Sequence, residues 1–291
     1  MSLVSVEYER EGCQAKYEDT LHAWADKMRL TKFPLIRACI GEFLGTVVLI
    51  YFGDGVVAWH YFSTTKDAIS VSLAWGLAVL LGLFISGTMG YGLMNPAITL
   101  AFAVAGKVPW IPVPLLILCQ IAGCYTGALL VYAIYRENIV KKAAWTMLGT
   151  GSIFVTAPTQ GNVAGLIDQV IGTAMLTALC SAIGDKHNFN VPRYLGIFYV
   201  ALLVVALVAA FPTHAGAALN PARDFGPRLA ALSLGYKDAF SAYDYYFWVP
   251  IVGPILGALI GACLYELFNG IHLRGLAEED ARKKEYEEED I

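Results

Sequence analysis

The chain has 291 residues, of which 57% are hydrophobic and 15% charged, with a formal net charge of −4 and a mean hydropathy of +0.57. Ordinary soluble domains carry about 25% charged residues and interleave them with apolar positions at helical period. Here the stretches 68–106, 110–135, 169–184, 194–222 and 245–265 contain no Asp, Glu, Lys or Arg, which excludes a soluble globular protein, and no basic patch marks a nucleic-acid partner.

In chain order, residues 1–33 are mixed and charged with no apolar run, so no cleavable signal peptide is expected. Within them, Leu21, Trp24, Met28 and Leu30 are helically spaced over 17–30. An amphipathic surface helix and a partly ordered leader both fit that pattern. A helix needs about 20 apolar residues to cross the hydrocarbon core. Six segments reach that length, approximately 34–60, 69–90, 112–136, 165–184, 192–212 and 245–268. Two further apolar stretches, near 95–106 and 220–232, correspond to roughly 18 Å of helix each. They are too short to cross and long enough to reach the middle. The expected fold is an all-α membrane protein with six transmembrane helices and two re-entrant half-helices. The expected divisions are a cytoplasmic N-terminal segment 1–33, a channel domain 34–270 and a charged cytoplasmic tail 271–291, solvated from Ala277. Cys13, Cys39, Cys119, Cys124, Cys180 and Cys263 show no metal-ligand spacing and read as small core residues. No metal or cofactor is expected, and the scattered histidines offer no catalytic pairing.

The two halves repeat. Asn95-Pro96-Ala97 recurs as Asn220-Pro221-Ala222, an offset of 125 residues. Gly41-Glu42-Phe43-Leu44-Gly45-Thr46 resembles Asp168-Gln169-Val170-Ile171-Gly172-Thr173, with Glu42 and Asp168 126 residues apart. Each half, about 34–140 and 165–268, holds three spans. An odd number inverts the second half relative to the first, and short Pro-interrupted segments in matching places put the site at the midplane. Lys27, Arg29, Lys32 and Arg37 before the first span, Lys186 and Arg193 between the fourth and fifth, and Arg274, Arg282, Lys283 and Lys284 after the sixth favour cytoplasmic termini. Arg136, Lys141 and Lys142 oppose that assignment without reversing it. Arg37 is expected to snorkel at the inner interface. Trp110, Trp248, Tyr243, Tyr245 and Tyr246 read as interfacial anchors.

The repeated turn has a physical use. A half-helix that starts inside the membrane leaves its first N–H groups unpaired. Proline in the first turn removes one such donor, the preceding Asn caps the start, and Ala lets two turns pack closely. Inversion points both positive dipole ends at the centre. The carboxamides of Asn95 and Asn220 can donate to a solute oxygen there, while the dipoles oppose a cation.

With Glu42-Phe43-Leu44-Gly45-Thr46, Asn95-Pro96-Ala97 and Asn220-Pro221-Ala222-Arg223-Asp224-Phe225-Gly226-Pro227, the chain resembles the major intrinsic protein (aquaporin) family over about residues 34–270. The resemblance implies a right-handed bundle with one pore per subunit, assembled as a homotetramer. Asp224, Arg228 and the Pro250-Ile251 pair resemble the glycerol-conducting members, and so does the long third connection, about 137–164. The implied selectivity filter is Trp75, Val208, Ala217 and Arg223. Val208 stands where the family commonly has Gly, and Ala217 where glycerol channels often have an aromatic. Ala217 is expected to open the wall and Val208 to narrow it. Leu93 replaces the family's usual His before the first turn. His214 could titrate at the outer mouth or be an ordinary loop residue.

Glu42 and Asp168 are ionisable residues within apolar spans, a pattern that draws attention to function. They either accept N–H donors from their own half's re-entrant loop or form a proton relay. The expected activity is passive passage of glycerol and water with exclusion of protons and ions. A strict water channel and a proton-coupled carrier using Glu42 and Asp168 are the alternatives. The resemblance implies residence in the plasma membrane and no enzymatic activity.

Overall fold

The computed structural model describes residues 12–65, 67–211 and 216–289. Among them the regular structure is entirely helical. The helices are α1 (Gly12–Met28), α2 (Pro34–Phe62), α3 (Ala68–Met89), α4 (Pro96–Val104), α5 (Val113–Lys142), α6 (Asn162–Gly184), α7 (Arg193–Ala210), α8 (Pro221–Leu234), the single turn α9 (Ala242–Tyr245), α10 (Val249–Tyr265) and α11 (Ile271–Glu289). Six helical segments are long and apolar enough to cross a membrane.

Local chemistry sets the boundaries. Proline stands in the first turn of α2, α4, α8 and α10, where its missing N–H removes no helical hydrogen bond. Asp67 starts α3 by accepting from the N–H groups of Ile69 (2.9 Å) and Ser70 (3.1 Å). α8 stops at Gly235, whose φ of 106° places it in the left-handed region that ends many helices. The third span runs on to Lys142, past the expected end at 136, and takes Glu137, Lys141 and Lys142 into the helix. The last span departs more. Tyr243, Asp244 and Tyr245 have positive φ, a 3-10 turn follows at Tyr246–Trp248, and α10 passes through a π-helical turn at Glu266–Gly270 into α11. The charged tail is thus an exposed helix rather than an unstructured extension. Tyr246 is fully buried, contrary to its reading as an interfacial anchor. Arg37 donates from Nε to the Met89 carbonyl (3.0 Å), at the carboxyl end of α3. In the leader, α1 leaves Tyr17, Leu21, Trp24 and Met28 exposed.

The packing reproduces the repeat. α2 packs against α3 and α5, and α6 packs against α7 and α10. Each short helix lies against the last span of the other half: α4 on α10, and α8 on α5. α3 meets α7 and α4 meets α8 across the centre. Glycine makes the tightest crossings possible. A Cβ at Gly123 of α5 would lie 2.3 Å from the Phe43 carbonyl oxygen of α2, and one at Gly257 of α10 would lie 2.3 Å from that of Val170 in α6. One turn further along each helix, a Cβ at Gly127 would lie 2.8 Å from the Val47 carbonyl oxygen and one at Gly261 2.1 Å from that of Ala174. Small residues four apart on one face let helix backbones meet.

Candidate functional site

The two Asn-Pro-Ala turns meet head to head. Asn95 Oδ1 accepts from the Ala97 N–H (2.9 Å), and Asn220 Oδ1 accepts from those of Ala222 (3.0 Å) and Arg223 (3.3 Å). Each carboxamide therefore caps its own helix. Each also reaches across: Asn95 Nδ2 donates to the Leu219 carbonyl and Asn220 Nδ2 to the Met94 carbonyl, both at 2.8 Å. A carboxamide NH2 has two hydrogens, so this reciprocal brace leaves one on each Asn for a solute. The approach to each turn has one backbone pattern. Gly92 and Met94 have positive φ before the first, and Ala217 and Leu219 before the second, at the same offset of 125. A non-glycine residue held there costs about 1–2 kcal/mol, so something must hold it.

Fully buried Glu42 holds the first approach. Its carboxylate accepts from the N–H groups of Leu93 (2.8 Å) and Met94 (2.6 Å) and from Gln120 Nε2 (2.8 Å). Gln120 Nε2 also lies 3.0 Å from Thr99 Oγ1. In the second half Gln169, the neighbour of Asp168, holds the approach to the turn: its Oε1 accepts from the Leu219 N–H (2.8 Å). Gln169 is fully buried, whereas partly buried Asp168 accepts from Gln169 Nε2 (3.0 Å). A neutral carboxamide does in the second half what a carboxylate does in the first.

Two of the expected wall residues, Trp75 and Arg223, meet directly. Arg223, in the first turn of α8, places its guanidinium carbon 4.4 Å from the Trp75 ring centroid. Its Nη1 donates to the Phe154 carbonyl (3.1 Å) and lies 3.3 Å from Asp54 Oδ1. Trp75 fits because Gly53 faces it: a Cβ there would fall 2.3 Å from the ring. A charged donor thus stands beside an apolar aromatic face.

Asp224 and Arg228 tie down the loop that supplies Phe154. Asp224 Oδ2 accepts from the N–H (2.8 Å) and hydroxyl (2.6 Å) of Thr156. Arg228 pairs with Asp224 through Nε, donates to the Ala239 carbonyl from Nη1 (2.8 Å) and to the Thr156 carbonyl from Nη2 (3.1 Å). Both are almost wholly buried, so each charge needs the other. Pro250 is buried in the first turn of α10, and Ile251 beside it is partly buried.

The remaining wall positions are not brought into one ring by direct contact. Val208 packs with the apolar cluster that includes Trp75 and Phe154, and lines a cavity of about 220 Å³ with Val57, His60, Val71 and Ser72. Ala217 packs with Ile98, Leu176 and Leu219 beneath the turns. His214 lies outside the described residues. On the opposite side a cavity of about 350 Å³, mostly apolar, extends from Arg193 to Asn95 and Asn220, with Leu93 in its wall.

Sequence reasoning missed Gln120, Gln169, Thr156 and Asp54. Asp54 carried a legible signal, since it is an ionisable residue inside an apolar span. Gln169 carried one too, since it stands three and four residues before Gly172-Thr173 as Glu42 stands before Gly45-Thr46; Gln120 carried none, because buried glutamine has no characteristic spacing.

Residues 29–265 match the family described as "Major intrinsic protein". The chain is 36% identical over 263 residues to Aquaporin-10 of Milnesium tardigradum, covering 82% of this chain and 64% of that protein's length. It is 33% identical over 257 residues to Aquaporin-9 of Homo sapiens, covering 84% of this chain and 87% of that protein. Among solved structures, that of the aquaglyceroporin from Plasmodium falciparum superposes with a TM-score of 0.77 at 26% identity, covering 82% of this chain and 99% of that one.

Proposed function

The chain belongs to the major intrinsic protein family, and from that premise we propose that it is a passive, multi-pass membrane channel for water and glycerol that excludes protons and ions. The observation that carries the glycerol reading is the juxtaposition of Arg223 and Trp75 at 4.4 Å. Glycerol has a hydrocarbon edge and a hydroxyl edge. An aromatic face opposite guanidinium donors suits both edges at once, and a solute arriving with its donors and acceptors satisfied loses little on leaving water. At the turns, Asn95 and Asn220 each keep a carboxamide hydrogen for the passing oxygen. The facing dipoles of α4 and α8 oppose a cation at the same place.

The named relatives support this reading, one of them being an aquaglyceroporin. A carrier driven through Glu42 fits less well, because its carboxylate is fully buried and engaged by three donors. Family likeness further supports a homotetramer in the plasma membrane with both termini cytoplasmic.

The deciding measurement is light scattering of proteoliposomes in water and glycerol gradients. Both fluxes should exceed those of empty vesicles. Raised water flux with glycerol flux at the empty-vesicle level would make this a strict water channel, and glycerol accumulation driven by ΔpH would make it a carrier.

A further inference from the structure

Asp54 sits on α2 with no exposed surface. Among the described residues its carboxylate oxygens receive no well-angled hydrogen bond. Among the described residues its one ionic contact is Arg223 Nη1, at 3.3 Å. A buried carboxylate with so little hydrogen bonding is costly, and the contact that offsets the cost is made to the constriction arginine. Arg223 needs a counter-ion as much. It stands in the first turn of α8, where the helix dipole repels a cation, and it is 6% exposed. The next carboxylate along, Asp224, is already taken by Thr156 and Arg228. Gly53 and Asp54 are adjacent, so the same turn of α2 that admits the Trp75 ring also supplies the charge opposite Arg223.

We propose that Asp54 is a specificity-setting residue, the counter-ion that neutralises Arg223 and tethers its Nη1 edge to α2, leaving a constriction that offers donors to polyols without a net charge. This rests on the channel reading above. Among the described residues both polar contacts of the guanidinium use Nη1, from the Phe154 carbonyl on one side and Asp54 on the other. The Nε and Nη2 hydrogens are left for a solute. Without Arg223, Asp54 would stand as a lone acidic group where the guanidinium had been, a binding point for a proton or small cation. Without Asp54, the guanidinium would lose its tether on the α2 side and swing into the lumen, obstructing glycerol more than water.

The test uses the full chain in proteoliposomes of matched protein content, with monodisperse elution required of every variant. Arg223→Ala should leak protons and monovalent cations about tenfold faster than Arg223→Ala combined with Asp54→Asn. In Asp54→Asn alone, the ratio of glycerol to water flux should fall about fivefold. A folding defect would lower both fluxes together and leave that ratio unchanged. Equal leaks in the presence and absence of Asp54, or an unchanged ratio in Asp54→Asn, would overturn the proposal. The unmodified channel is measured beside them. If it carries no glycerol, the functional reading fails, while the comparison of the two leaks still decides whether Asp54 is the counter-ion.

Discussion

Three hydrogen bonds converge on the Glu42 carboxylate, and two of them hold backbone leading into Asn95. Glu42→Ala would strand those donors in a buried site, at a cost of about 3 kcal/mol or more. The midpoint of thermal unfolding in detergent should fall by about 5–10 °C. Gln169→Ala strands one backbone donor, that of Leu219, and should shift the midpoint less. A larger shift for Gln169→Ala would mean that the first loop is held by something other than Glu42. The sequence marked Glu42 through its charge, and through that charge pointed to Asp168 as its counterpart. The Leu219 N–H is taken by the neighbouring Gln169. A carboxamide and a carboxylate accept the same N–H, and sequence comparison by charge cannot see that equivalence. Resemblance to the family pointed to Arg223 and Trp75, at their distances from the two Asn residues. Their mutual contact, and Asp54 beneath them, required coordinates because the three lie on three different helices.

At the scale of helices, the pairings that matter are those in which one backbone touches another. Val170 of α6 leaves no room for a side chain at Gly257 of α10. Gly257→Val forces overpacking that costs about 1–3 kcal/mol, enough to change the yield of folded protein several-fold. Gly275→Val is the control, because nothing lies within 4 Å of a Cβ there and its yield should be unchanged. Equal yields of the two variants would show that the α6–α10 crossing tolerates separation. Helix existence was readable from hydropathy alone: the six long segments and the two short ones all appear, with ends set by proline and glycine. What hydropathy could not give was the broken start of α10 and the π-helical turn after it. Tyr245 opens the expected span, yet it shares positive φ with Tyr243 and Asp244 before it. Charge in 271–289 gave no indication that α11 continues from the π-helical turn.

Across the whole molecule, the two-fold exchange of α4 and α8 between halves is what makes a bundle rather than two trimers of helices. The repeat offset and the odd number of spans per half predicted that inversion. The partnering of each short helix with the other half's last span was beyond them, because hydropathy says nothing about which helices touch. Inversion with six crossings puts both ends of the chain on one side. Epitope tags placed before residue 12 and after residue 289 should be shielded in intact cells and detected only after permeabilisation, following the basic residues near the first and last spans. Detection of either tag on intact cells would refute the sidedness. The reciprocal brace between the turns also has a biosynthetic meaning. Asn95 waits for a carbonyl 124 residues further along the chain, and at ribosomal rates of 5–20 residues per second that is a delay of about 6–25 s. During that interval α4 has neither its partner turn nor the α10 surface it packs on. A nascent half-channel is therefore not a leaky precursor of the pore: the conduit and its barrier to ions come into being in one late step, when the final span docks.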